Sequence, residues 1–195
     1  MIRSTNSGPK SNNFFYTIAL VIFCIFLNFV GTFLVGFIHL PIYLDCIGTI
    51  LSALIGGYIP GIIVGLSASF LKSIIVNPDS ISYGVLNVFM ALFTVKFFEK
   101  DGFKNVKKLF ISAFVYAFIG GFIGGLITWS LYGFASEATT SDLVLYLFEN
   151  FHFSNFQAEI LGDFLIDLLD KIITVLLVYL LYRLLPQNFK NKFIV

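Results

Sequence analysis

From Phe14 to Ile38 the chain runs 25 residues with Asn28 as its only strongly polar interior member. Coiled as a helix, such a run reaches roughly 37 Å, enough to cross a hydrocarbon core of roughly 30 Å. Similar runs recur to the C-terminus, so 58% of the 195 residues are hydrophobic and only 12% charged, against about 25% charged in a soluble domain. A water-soluble fold of this size has too little interior to hide that much apolar surface. The class expected is an all-α membrane protein. Twelve Lys and Arg face eleven Asp and Glu, so no basic field exists to hold nucleic acid. The first run is longer than the core of a signal peptide, about 7–15 residues, and no small-x-small cleavage site follows it. It is expected to stay as the first span, behind a polar tail over residues 1–13. Cys24 and Cys46 lack paired spacing, and His39 and His152 lack ligand spacing, so no disulfide framework, metal or cofactor is expected.

The second run, Cys46–Val76, covers 31 residues and would reach roughly 46 Å as one helix. Gly56, Gly57 and Pro60 sit in its middle, where a turn is cheap and a helix interior costly. Two short helices, Asp45–Gly57 and Pro60–Val76, joined as a hairpin, are expected. Ser82–Phe98 gives a fourth helix and Leu109–Leu131 a fifth, after a charged loop Glu99–Lys108. A surface helix is expected near Ser141–Asn150, and Phe156–Leu185 is the last span, stopped by Pro186. Residues 14–185 then form one six-helix transmembrane domain, with cytoplasmic tails at 1–13 and 186–195. Charge supports that count. With both termini inside, ten of the twelve basic residues gather on the cytoplasmic side, as the positive-inside rule requires. Ala53, Gly57, Gly61, Gly65 and Ser69 recur every fourth position, and Gly120, Gly121, Gly124 and Gly125 give overlapping GxxxG patterns. Such small faces let helices approach closely in lipid, either within this chain or against a partner.

The last helix holds what a lipid-facing span cannot. At 100° per residue, Glu159, Asp163, Asp167, Asp170, Lys171 and Thr174 share an arc of about 120°. Ionisable groups at membrane depth cost at least about 2.5–3.5 kcal/mol each, so the stripe must face protein, water or a ligand. Asp167 and Lys171 form an i,i+4 pair in the favourable order, and Lys72 is the other basic residue within the membrane. Two readings stay open and are compatible: an ionic network tying the third and sixth helices, and a water-accessible binding cavity. Asp45, Lys72, Tyr83, Asn87, Glu159 and Asp163 are the candidate substrate contacts, because they converge at the outer level. Asp167, Asp170 and Lys171 are assigned to the structural network. His39, Tyr43, Asp79, Trp129 and Tyr132 lie at the same height, where Trp and Tyr also serve as interfacial belt residues.

No phosphate-binding loop, H-E-x-x-H, G-x-S-x-G or kinase signature occurs. Gly162-Asp163 follows Ile160-Leu161 and so lacks the G-x-G-D of intramembrane aspartyl proteases. The chain is not expected to be an enzyme, with such a protease the remote alternative.

The order of features resembles one family. After the first helix come Leu40-Pro41-Ile42-Tyr43-Leu44-Asp45, Ile47-Gly48-Thr49, a Gly-Gly-Tyr-Ile-Pro-Gly turn over Gly56–Gly61, a small-residue helix and the Asn77-Pro78 loop. This is similar to the substrate-binding S component of energy-coupling-factor (ECF) transporters for vitamins and related micronutrients. The resemblance implies a six-helix fold with an outward pocket under the first and third outer loops. It also implies partners in a bacterial-type plasma membrane: a transmembrane coupling protein and two ATPase subunits, which would supply the ATP chemistry this chain lacks. In place of the family's frequent first-helix A-x-x-x-A, Ala19 is followed by Phe23, while Gly31, Thr32 and Gly36 offer another small face. The function expected is binding of a small vitamin-like micronutrient for import; the competing class is a membrane sensor or regulatory module of similar fold.

Overall fold

The computed structural model describes residues 11–98, 106–133, 146, 149–190 and 193. The predicted lysine-rich loop and most of the predicted surface helix near Ser141–Asn150 lie outside them, as does most of the N-terminal tail. Among the described residues all regular secondary structure is helical: α1 Ser11–Ile38, α2 Ile47–Gly56, α3 Tyr58–Ile75, a 3-10 turn Pro78–Ile81 and α4 Gly84–Phe98. Then come α5 Val106–Ala117, a π-helical turn Phe118–Ile123, α6 Gly124–Tyr132, α7 Asn155–Leu184 and a short α8 Gln187–Lys190.

Four helical segments are long and apolar enough to cross a membrane: Phe14–Ile38, Tyr58–Ile75, Pro78–Phe98 and Lys107–Tyr132. Two expected spans differ. The 10 residues of α2 reach only about 15 Å, half the hydrocarbon thickness. The 30 residues of α7 are long enough, but the polar stripe interrupts their apolar character.

Buried on nearly every side, α2 is the centre of the bundle, touched by α1, α3, α4 and α7. Its start explains why a span as apolar as α1 keeps an asparagine. The N-cap residue, Cys46, supplies no side-chain cap. Instead Asn28 of α1 accepts a 2.6 Å hydrogen bond from the Gly48 amide and donates to Thr49 Oγ1 at 3.0 Å, satisfying a helix-end donor that lipid cannot. The hairpin turn narrows to Gly57, at φ +83°, a conformation glycine adopts without a Cβ penalty. Pro60 therefore falls inside the first turn of α3, where its missing N–H costs nothing.

From there α3 doubles back along α2, with Gly61 against Ala53 and Gly65 against Thr49. α4 returns along α3, placing Ala91 beside Gly61 and Asn87 beside Gly65. The predicted fifth helix is one continuous rod, α5 to α6, with the π turn in its middle. It lies along α7, so that Gly121 meets Phe164 and Gly125 meets Ile160. A capping box opens α7, with Gln157 N donating to Ser154 Oγ and Ser154 N donating to Gln157 Oε1. Large apolar side chains cover the outside of the bundle, Phe37 at 83%, Ile59 at 72% and Leu169 at 61% exposure among them. Polar groups face in: Asn28, Thr49, Thr94, Asp167, Asp170 and Lys171 are all buried. That inversion suits lipid as solvent.

Candidate ligand cavity

A cavity of about 250 Å³ opens between α3, α4, the π turn with α6, and α7, roofed by the loop before α2 and by the 3-10 turn. Each element contributes through a local cause. The α7 stripe brings Asp163, Asp167 and Lys171 to one wall. Opposite, α3 offers Ser69 and Lys72, and α4 offers Asn87 and Met90, with Tyr83 just before it. Gly120, Gly121 and Gly124 form the third side. A Cβ at Gly120 would overlap the Asp167 carboxylate, and one at Gly121 the backbone of Phe164; bare backbone there lets α7 sit close while the cavity stays open. The π turn carries both glycines, and such turns often mark functional positions.

A buried chain of charge organises the inner wall. Lys171 Nζ donates to Asp167 Oδ1 at 2.7 Å and to Asp170 Oδ2 at 2.5 Å. The other oxygen of Asp170 accepts from the backbone amides of Tyr43 and Leu44, at 3.0 and 2.7 Å. Asp170 thus ties the loop before α2 to the middle of α7. Two residues of that loop hold strained backbone, His39 at φ 51° and Leu44 at φ 44°, a cost met only where the surroundings fix the conformation. Asp167 Oδ2 is buried and has no hydrogen-bond partner, and the same is true of Thr174 Oγ1.

Elsewhere on the wall, Lys72 donates to Asp45 Oδ2 at 3.0 Å. Burial works against the charged form of Asp45, but the ammonium groups of Lys72 and Lys171 outweigh it and hold the carboxyl below its usual range. Tyr83 and Thr128 share a 2.8 Å hydroxyl–hydroxyl hydrogen bond, and Asn87 donates to Ser69 Oγ at 2.9 Å.

Of the six predicted contacts, Asp45, Lys72, Tyr83, Asn87 and Asp163 lie on the wall. Glu159 does not; it is buried at 1% exposure, one helical turn beyond the lining. The division between contact and network residues also differs from expectation. Asp167 and Lys171 both line the cavity while paired to each other, and Asp170 stands behind them. Tyr43, Asp79 and Tyr132 line it too, whereas His39 and Trp129 do not, the latter packing edge-on against Phe156. Ser69, Met90, Thr128 and the three glycines were read only as packing residues or passed over. For Ser69 and the glycines the signal was present in the four-residue spacing, which marks close approach without telling a sealed contact from a wall. Gly31 is taken up inside the chain, against the carbonyl of Leu44, while Gly36 faces open space.

Cys24 and Cys46 are free and buried. Among the described residues no group of three His, Cys, Asp or Glu side chains is placed to hold a metal ion. Compared with protein-family models, curated proteins and solved structures, the chain matches none of them.

Proposed function

We propose that the chain is the membrane-embedded binding subunit of an importer for a small, vitamin-like micronutrient, working as an ECF S component does. One observation carries this reading: a cavity lined by charged and hydroxyl groups inside a bundle whose outside is apolar. Ionisable side chains at such depth are costly and are kept where they serve a ligand, an ion or a relay. A cavity of this kind, with a few convergent polar groups among apolar walls, is the usual form of a small-molecule site.

In this reading six helices cross a bacterial-type plasma membrane. α2, the first arm of the hairpin with α3, and α7 supply the two spans beyond the apolar four, both termini are cytoplasmic, and the cavity opens outward. A transmembrane coupling protein and two ATPase subunits complete the transporter. The test is affinity purification of the tagged chain from its native membrane in mild detergent. Recovery of a coupling protein with two ATPases in stoichiometric amounts is expected. Recovery of the chain with signalling proteins and without ATPases would replace the importer by the sensor class.

A further inference from the structure

The cavity's charge is unbalanced, and the imbalance bears on the ligand. Its wall carries four carboxylates, Asp45, Asp79, Asp163 and Asp167, against two ammonium groups, Lys72 and Lys171. Asp170 stands directly behind and adds a fifth acid. Both cations are already engaged, Lys72 by Asp45 and Lys171 by Asp167 and Asp170. A second, independent feature points the same way. Asp167 is 3% exposed, lies on the wall, and its Oδ2 accepts no hydrogen bond. That oxygen is packed against Gly120 and closed to solvent, so a ligand reaches it when the carboxylate turns toward the cavity, and an N⁺–H donor then satisfies both its hydrogen-bonding capacity and its charge.

We propose that the cavity selects a small organic ligand bearing a positively charged nitrogen, which is received between Asp163 and Asp167. This rests on the binding-subunit reading of the same site and adds the ligand's chemical class. An anionic ligand would enter against an excess of acid that persists even with one carboxylate protonated. Neither lysine is free to meet it. The tyrosines help: Tyr43, Tyr83 and Tyr132 line the cavity, and aromatic faces attract cations. Volume bounds the ligand. About 250 Å³ matches the liquid volume of about eight waters, room for one ring or a short chain.

The probes are benzylamine, benzyl alcohol and benzoate, which differ in charge at nearly constant shape. Each is titrated at pH 7 and fixed ionic strength against the purified full-length chain, and thermal unfolding is followed. Benzylamine is expected to raise Tm in a saturable, dose-dependent way, and the alcohol and the acid to leave it unchanged. Asp163→Asn should weaken the benzylamine response about tenfold or more, with Asp163→Glu recovering part of it. Equal responses to all three probes, none to any of them, or a larger response to benzoate would overturn the inference. An equal shift from added NaCl would overturn it too, by assigning the cavity to an inorganic cation. The comparison on the unaltered chain decides the matter even if Asp163→Asn does not fold. Benzylamine selectivity without co-purifying ATPases would leave this inference standing and remove the importer reading; ATPases without selectivity would do the reverse.

Discussion

Asp170 does more structural work than any other residue on the stripe. One oxygen meets Lys171 and the other meets two loop amides, so a single carboxylate joins helix, lysine and loop at 0% exposure. Replacing it with alanine strands a buried ammonium beside one remaining partner and leaves two amides unsatisfied. Breaking a buried pair in this way costs about 3–5 kcal/mol, so Asp170→Ala should unfold markedly earlier than wild type in a thermal or SDS titration. Asp170→Asn keeps an acceptor for the amides and should lose less; equal losses for the two would show that the loop tether contributes nothing. Half of this residue's role was legible in the sequence, because 100° per residue puts Asp170 on the inward arc whatever the fold. Its loop partners were not. They are backbone donors, presented by a loop with Leu44 at positive φ, and no residue type announces them. Glu159 illustrates the converse limit, for angle alone cannot say where along a helix a cavity ends.

Among the elements, the α5–α6 rod was predicted as a helix but not as one with a π turn in its middle. A π turn adds a residue to the hydrogen-bonded ring without changing composition or hydropathy, so nothing in Phe118–Ile123 forecasts it. The glycines it carries were legible as a packing signal, and the neighbour they pack against is the Asp167 carboxylate. That makes a substitution there more than a packing defect. Gly120→Ala places a methyl where Asp167 Oδ2 now lies, forcing the carboxylate to move or α7 to retreat. Overpacking of this kind costs about 1–3 kcal/mol, and Gly120→Ala should lower Tm accordingly. Gly36→Ala serves as the control, since nothing lies within 4 Å of a Cβ at that position. A control as damaging as Gly120→Ala would show that the loss reflects handling of the membrane protein rather than contact with Asp167. The short α2 was legible from its length and its glycine boundary, whereas the Asn28 cap that starts it lies 20 residues away in sequence and needed the packed bundle to appear.

At the scale of the whole molecule, the inside-out distribution of polarity was foreseeable and the direction of the opening follows only from the proposed topology. The cavity lining includes Asn77, Asp79 and Ser80 of the turn between α3 and α4, while α8 and Lys190 follow the C-terminal end of α7. In a six-span arrangement with both termini inside, the first group faces out and the second faces the cytoplasm. Cysteine labelling in intact cells separates the two. The native thiols make a quiet background, because Cys24 and Cys46 are each 0% exposed. Ser80→Cys should react with a membrane-impermeant maleimide added from outside, and Lys190→Cys should react only after the membrane is opened. A ligand seated in the cavity should slow labelling at Ser80→Cys and leave Lys190→Cys unaffected, since Ser80 lines the cavity and Lys190 does not. Labelling of both positions from outside would mean an even number of spans between them. The α2–α3 hairpin lies before both positions and would be untouched, so the error would then lie in α7 or in the rod from α5 to α6. Reversed labelling would keep an odd number of spans between the two positions and turn the cavity toward the cytoplasm, where a binding subunit for uptake has no use for it.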